Sequence, residues 1–292
     1  MRKSIAIAAG FFLAVLTCCR PGFSPIPEFQ DSTNQALKEF FDRTASEKGR
    51  KVAVFDGDGT VLGQVPHYLA DECLYAEAKK HPEKKPQIIQ HMRPLSNVSI
   101  PYVKDRVFFF EGDTLETVRN LGVECFHRDY AGKIYEPMRK LISQLKENGF
   151  EIWIITASPE ALYQKFLSEE FHIPITNIVG VKPILHGGRF TSRIVEPVPQ
   201  DEGKKEAIET FVQEQPLLAA GNSRGDREMI EFSRDIRMII NPDEHREQGE
   251  TTSVADYAKS HNWLIERIRD QEEPGFPAIS SREYSIRRNK PH

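Results

Sequence analysis

The chain has 292 residues, enough for one large domain or for a core domain carrying a smaller insertion. Hydrophobic residues make up 39% and charged residues 28%, an ordinary balance for a folded protein with a sizeable core. A formal net charge of -4 leaves no basic face to neutralise a phosphate backbone, which argues against a general nucleic-acid binder.

Residues 1–19 read as an export signal. Met1-Arg2-Lys3 is a short positive start, and Ser4 to Thr17 is an almost unbroken apolar run. That run is shorter than the roughly 20 residues a spanning helix needs, and it has no polar face for a buried core helix. Leu16-Thr17-Cys18-Cys19 resembles a bacterial lipobox, so Cys18 or Cys19 is the expected lipidation site. The reading is a periplasmic protein or a membrane-anchored bacterial lipoprotein, held by its lipid. Cleavage without lipidation is the alternative. In the body of the chain, Cys73 and Cys125 either pair in an oxidising compartment or stay as two small buried hydrophobes.

Residues 20–33 read as a Pro- and Gly-rich tether. A helix is predicted from Asn34 to Arg43, then a buried strand from Lys51 to Phe55 that ends at Asp56-Gly57-Asp58-Gly59-Thr60. Further elements alternate. Helix Pro137–Asn148 is stopped by Gly149, strand Glu151–Ile155 follows, and helix Pro159–Phe171 has Pro in its first turn. Strand Asn177–Val181 leads to a hairpin turn at His186-Gly187-Gly188-Arg189. Then come helix Glu202–Glu214, strand Leu217–Ala220, helix Arg227–Ser233 and strand Ile236–Ile240. Apolar strands alternating with amphipathic helices imply an α/β fold with a parallel sheet covered on both faces, its ligands at the carboxyl ends of the strands. Residues 34–65 and 134–270 form this core. Residues 66–133 break the alternation and read as a mostly helical insertion, with pieces over 68–80, 87–92 and 114–121. Residues 271–292 have the composition of a disordered tail.

Asp56 and Asp58, one residue apart at a strand end, project to the same side and repel one another. A divalent cation resolves that conflict, and hard oxygen ligands suit Mg²⁺. Gly57 and Gly59 allow a tight turn whose amides can approach an anion. The bland alternative is a solvated Asp-Gly turn.

Asp56-x-Asp58-Gly59-Thr60 after an apolar strand resembles motif I of the haloacid dehalogenase superfamily. Thr156 in Ile-Ile-Thr156-Ala-Ser158 resembles motif II, Lys204 in Gly203-Lys204-Lys205 motif III, and Gly221-Asn222-Ser223-Arg224-Gly225-Asp226 motif IV. The resemblance covers roughly residues 50–270. It implies a Rossmann-like core with a type 1 cap inserted after the first catalytic strand, and a Mg²⁺-dependent phosphatase acting on a small phosphomonoester. The length and the Ile-Thr-Ala-Ser-Pro segment are similar to the phosphoserine phosphatase and phosphorylcholine phosphatase branch. It further implies that Asp56 is the nucleophile and Asp58 the general acid and base. Thr156 and Lys204 would bind the phosphoryl group, and Asp56, Asp58, Asn222 and Asp226 would hold the metal.

Alternatives stand beside each role. Thr156 or Asp226 could instead be a helix N-cap, and Lys205 competes with Lys204. Asp58 favours phosphoryl transfer over carbon–halogen hydrolysis, because an alkyl ester needs no acid there; transfer to an alcohol, as in a mutase, stays open. Asn222 stands where many relatives of this type carry aspartate. An uncharged ligand leaves room for a catalytically weak or inactive surface binding lipoprotein. In the insertion, Tyr68, Tyr75, Tyr102 and Phe108–Phe110 could cage a quaternary ammonium or simply form a core. Glu72, Arg93 and Arg106 could read a polar substrate.

Overall fold

The structure is a computed structural model and describes residues 22–246, 249–272 and 288–290. The export signal, Cys18, Cys19 and most of the tail expected over 271–292 lie outside those residues. In chain order the elements are α1 (Asp31–Thr44), β1 (Val52–Phe55), α2 (Leu69–Lys80), α3 (Pro86–Met92), α4 (Ile100–Phe108) and α5 (Leu115–Cys125). They continue with α6 (Glu136–Glu147), β2 (Glu151–Pro159), α7 (Glu160–Phe171), β3 (Ile178–His186), β4 (Arg189–Val195) and α8 (Glu202–Ala207). The last are β5 (Leu218–Gly221), α9 (Arg227–Glu231), β6 (Ile236–Ile240), α10 (Val254–Ser260) and β7 (Leu264–Glu266). Among the described residues no helix is long and apolar enough to cross a membrane.

One seven-stranded sheet runs in the order β4-β3-β2-β1-β5-β6-β7. All its pairings are parallel except β3 with β4, which turn on Gly187 and Gly188, both at positive φ. β1 is central and buried along its whole length, which is why it is apolar without alternation. Its side chains still alternate between faces. Ala53 and Phe55 join the large core with α1, α6, α7 and the insertion. Val52 and Val54 pack with Ile155, Ala207, Ile208, Ala219 and Met229 on the other side. The chain leaves β1 toward β2 on one side and later returns to β5 on the other. The crevice between these directions, at the strands' carboxyl ends, is where such a sheet binds ligands.

Helices α2 to α5 form the cap, inserted between β1 and α6. Its α4 was not distinguished in sequence, because its aromatic residues and Pro101 mask the helical period. Cys73 on α2 and Cys125 on α5 form a disulfide, with Cα atoms 5.7 Å apart. This resolves the choice that spacing alone left open.

Other expectations need correction. The stretch expected as a tether over 20–33 packs on the core from its described start. Ile26 and Phe29 are buried, and the Asn34 side chain accepts from the Ile26 amide (2.8 Å) and donates to its carbonyl (3.0 Å). Prolines 25 and 27 suppress helical periodicity without preventing burial of the residues beside them. α1 accordingly begins at Asp31. Pro159 is the N-cap of α7, not part of its first turn. The helix expected over 202–214 is α8 followed by a π-helical turn from Ile208 to Val212.

Candidate active site

β1 aims Asp56 out of the sheet. Its amide donates to the Ala220 carbonyl (2.9 Å), which extends the β1–β5 register by one residue. The chain then turns sharply, with the Gly57 carbonyl accepting from the amides of Thr60, Val61 and Leu62. Gly59 has φ +81°, and a Cβ there would fall 2.0 Å from Asn222 Nδ2. Only glycine lets this turn lie against the loop after β5.

A small cleft opens at this point, lined by Asp56, Asp58, Thr156, Lys204 and Asn222 among others. These residues come from the ends of β1, β2 and β5 and from α8. Lys204 Nζ lies 2.5 Å from Asp56 Oδ1 and 2.5 Å from Asp226 Oδ1. Asp226 Oδ2 accepts from the amides of Asn222 (3.0 Å) and Ser223 (2.9 Å) and from Ser223 Oγ (3.0 Å). Asp226 therefore ties the β5 loop to the lysine, and its side chain does not cap α9. Lys205, the competitor, is 34% exposed and pairs with Glu202, whereas the Lys204 side chain is 5% exposed. Thr156 lies in β2 and lines the cleft. Its hydroxyl accepts from the Ser158 amide (3.1 Å), and it does not cap α7.

Asp58 is gripped by two hydroxyls. Tyr163 OH lies 2.8 Å from both carboxylate oxygens, and Ser158 Oγ donates at 2.9 Å. Sequence reasoning missed Tyr163 and this use of Ser158. The available signal was their place at the end of β2 and in the helix that follows. Burial pushes the Asp58 carboxyl up to about 6, although both hydroxyls favour its charged form. Burial and the neighbouring Asp226 charge likewise push Asp56 up to about 7, against the pull of Lys204. For Asp226 burial also opposes ionisation, but Lys204 and the two amides outweigh it and hold its carboxyl below the usual range. Lys204 is raised well above an ordinary lysine, because the two carboxylates overcome the effect of burial.

The cap roofs the cleft with Tyr68, Val98, Val103 and Arg106. Arg106 donates to Asp71 Oδ1 (2.8 Å) and to the Asn97 carbonyl (3.2 Å), between the rings of Tyr68 and Tyr102. Those aromatic faces already hold a cation from the protein itself. Glu72, Tyr75 and Arg93 do not line the cleft. Tyr75 is buried within the cap and meets Tyr102 OH (3.2 Å), and Glu72 is buried beside Tyr130. Arg93 is exposed at the end of α3. Phe109 and Phe110 are cap core.

Residues 53–231 match the model of the haloacid dehalogenase-like hydrolase family. The chain belongs to that family. A phosphoserine phosphatase of Mycobacterium tuberculosis is 26% identical over 166 residues, 55% of this chain and 50% of that protein. A hydrolase of Mycobacterium leprae is 25% identical over a stretch covering 55% of this chain and 51% of that protein. The chain spans about half the length of the curated relatives it matches. Two solved structures share the fold of this haloacid dehalogenase-like hydrolase. A protein of unknown function from Anaerococcus prevotii has a TM-score of 0.63 at 13% identity, covering 85% of this chain and 97% of that one. One from Bordetella pertussis has a TM-score of 0.58 at 15% identity, covering 75% and 98%.

Among the described residues no three His, Cys, Asp or Glu side chains gather into a metal site by themselves. The residues lining the cleft of this hydrolase nevertheless include hard oxygen donors of the type Mg²⁺ takes, on Asp56, Asp58 and Asn222. Asp56 and Asp226, both buried, face one lysine, so the ionised cluster keeps a negative excess that a divalent cation would offset. The donor set fits the ion.

Proposed function

We propose that this hydrolase cleaves a small phosphomonoester through a phosphorylated Asp56. The observation that carries the reading is the buried Asp58 carboxyl, held by Tyr163 and Ser158 beside the nucleophile and raised toward neutral pH. A carboxyl in that state can donate a proton near neutrality and take it back afterwards. The phosphoserine phosphatase relative supports the same reaction class.

In the first step an Asp56 oxygen attacks phosphorus, the bond to the ester oxygen breaks, and the Asp58 proton passes to that oxygen. In the second, water attacks the phosphorus and gives its proton to Asp58. The bond to Asp56 breaks and inorganic phosphate leaves. Lys204 and Thr156 line the cleft and would meet the phosphoryl group, the lysine offsetting charge on its oxygens. Mg²⁺, held by Asp56, the Asp58 carbonyl and Asn222 with charge from Asp226, would supply further positive charge against those oxygens.

The test is phosphate release from p-nitrophenyl phosphate, with and without a chelator, for the wild type and Asp56→Asn. Wild-type turnover in Asp56→Asn would remove the nucleophile from the scheme. A panel of phosphomonoesters including phosphoserine and phosphorylcholine then reads the substrate. A second reading, a binding lipoprotein without turnover, is favoured by the uncharged Asn222. Metal-dependent hydrolysis of any panel member would discard it.

Export belongs to the same proposal. The apolar run from Ser4 to Thr17 supports it, and so does the Cys73–Cys125 disulfide, since such bonds persist in oxidising compartments. Mass spectrometry of the mature N-terminus would show a lipidated Cys18 or Cys19, a plain cleavage product or the unprocessed start.

A further inference from the structure

The chain after β7 comes back to the active-site loop. Asp270 is buried, and its Oδ2 accepts from the Gln64 amide (2.9 Å) while its Oδ1 meets Lys133 Nζ (3.3 Å). A Cβ on Gly63 would fall 2.7 Å from Asp270 Oδ1, so the carboxylate packs directly against the loop. From the far end of the chain, Asn289 Nδ2 donates to the Gln64 carbonyl (2.7 Å), and the Asn289 amide donates to the Pro66 carbonyl (2.8 Å). The Gln64 backbone is thus fastened at both its amide and its carbonyl by residues beyond 231, where the family match ends.

The Gln64 side chain lines the cleft, and its Oε1 accepts from Asn222 Nδ2 (3.4 Å). A carboxamide has one donor end and one acceptor end. Fixing the donor end of Asn222 on Gln64 decides where its oxygen can face. An aspartate at position 222 would have charge to attract a cation from either rotamer, but an asparagine depends on being oriented. We propose that Gln64 is a positioning residue for Asn222, and that the C-terminal segment holds Gln64 in place through Asp270 and Asn289. The inference rests on Asn222 being a Mg²⁺ ligand. Partners of metal ligands in other proteins change affinity by about 10- to 100-fold when removed.

The experiment titrates Mg²⁺ with two readouts on the full chain: phosphate release from p-nitrophenyl phosphate, and the rise in unfolding midpoint that Mg²⁺ produces. Gln64→Leu is expected to raise the half-saturating Mg²⁺ concentration about tenfold in both, with the metal-free midpoint unchanged. Gln64→Glu keeps the acceptor oxygen and is expected not to weaken Mg²⁺ binding. Asn289→Ala removes only the side-chain tie and is expected to weaken Mg²⁺ about two- to threefold. Unchanged half-saturation in Gln64→Leu overturns the proposal, as does a change confined to the KM for the ester, which would mean direct substrate contact. An unaltered Asn289→Ala overturns the C-terminal part. Should the wild type release no phosphate, the midpoint readout still decides between these outcomes, so this inference and the phosphatase reading fail separately.

Discussion

Lys204 Nζ lies 2.5 Å from Asp56 Oδ1, although 148 residues of chain separate the two. The same nitrogen is 2.5 Å from Asp226, so a single ammonium is shared by two buried carboxylates. On the proposed scheme the lysine would serve the fold and the reaction at once. Its removal leaves both acids without a countercharge in a site where charge is costly.

Lys204→Met is expected to lower turnover by about 10²–10³-fold, the cost of losing one charge-stabilising donor. It is also expected to cost about 3–5 kcal/mol of stability at pH 8, as breaking a buried pair does. At pH 5 the loss shrinks, because the stranded carboxylates can take up protons. Urea unfolding at the two pH values checks this, and equal losses at both would contradict it.

Asp58 carries a pH signature. Its folded value of about 6 lies above the ordinary 3.8, so the neutral acid is favoured in the folded state. That contribution is fully present below about pH 4 and is lost as pH rises through 6. Asp58→Asn, which cannot ionise, should therefore exceed the metal-free wild type in stability at pH 8 by roughly 2–3 kcal/mol at most. A variant no more stable than wild type at pH 8 counts against the assignment. Turnover of alkyl phosphates should also fall as pH rises above 6. The fall is smaller for p-nitrophenyl phosphate, whose leaving group needs little protonation.

The Cys73–Cys125 bond closes a loop with a sequence separation of 52 between α2 and α5. Loop-closure entropy alone makes it worth about 4 kcal/mol, and measured bridges run about 2–4. The double variant Cys73→Ser/Cys125→Ser should lose about that much in urea unfolding. A variant as stable as the oxidised wild type would mean that the bridge contributes nothing to the cap.

Asn222→Asp adds a charged oxygen among the proposed Mg²⁺ donors. Half-saturating Mg²⁺ is expected to fall at least several-fold, read by turnover and by calorimetric titration. Weaker binding would mean that the Gln64 contact matters more than ligand charge at this position.

Much of the polar set lining the cleft was legible because each member stands at a recognisable place in its element. Asp56 and Asp58 end an apolar strand, Thr156 lies near the end of another, Asn222 follows a third, and Lys204 opens a helix. In a parallel sheet such strand ends share one edge. Local pattern therefore determined the α/β class, and the resemblance of the motifs picked out Asp56, Asp58, Thr156, Lys204 and Asn222, which meet at the cleft. Which lysine turns inward was decided by burial, with Lys204 against the carboxylates and Lys205 half in solvent. Tyr163 on Asp58, the Cys73–Cys125 pairing and the Arg106–Asp71 contact join residues far apart in the chain. Glu72 and Tyr75 show the same limit, since both are buried in the cap and neither lines the cleft. Periodicity tells which residues share a face of an element. What that face packs against is set only when the whole chain is assembled, and so the tertiary structure alone decided the roof of the cleft and the return of Asp270 and Asn289 to Gln64.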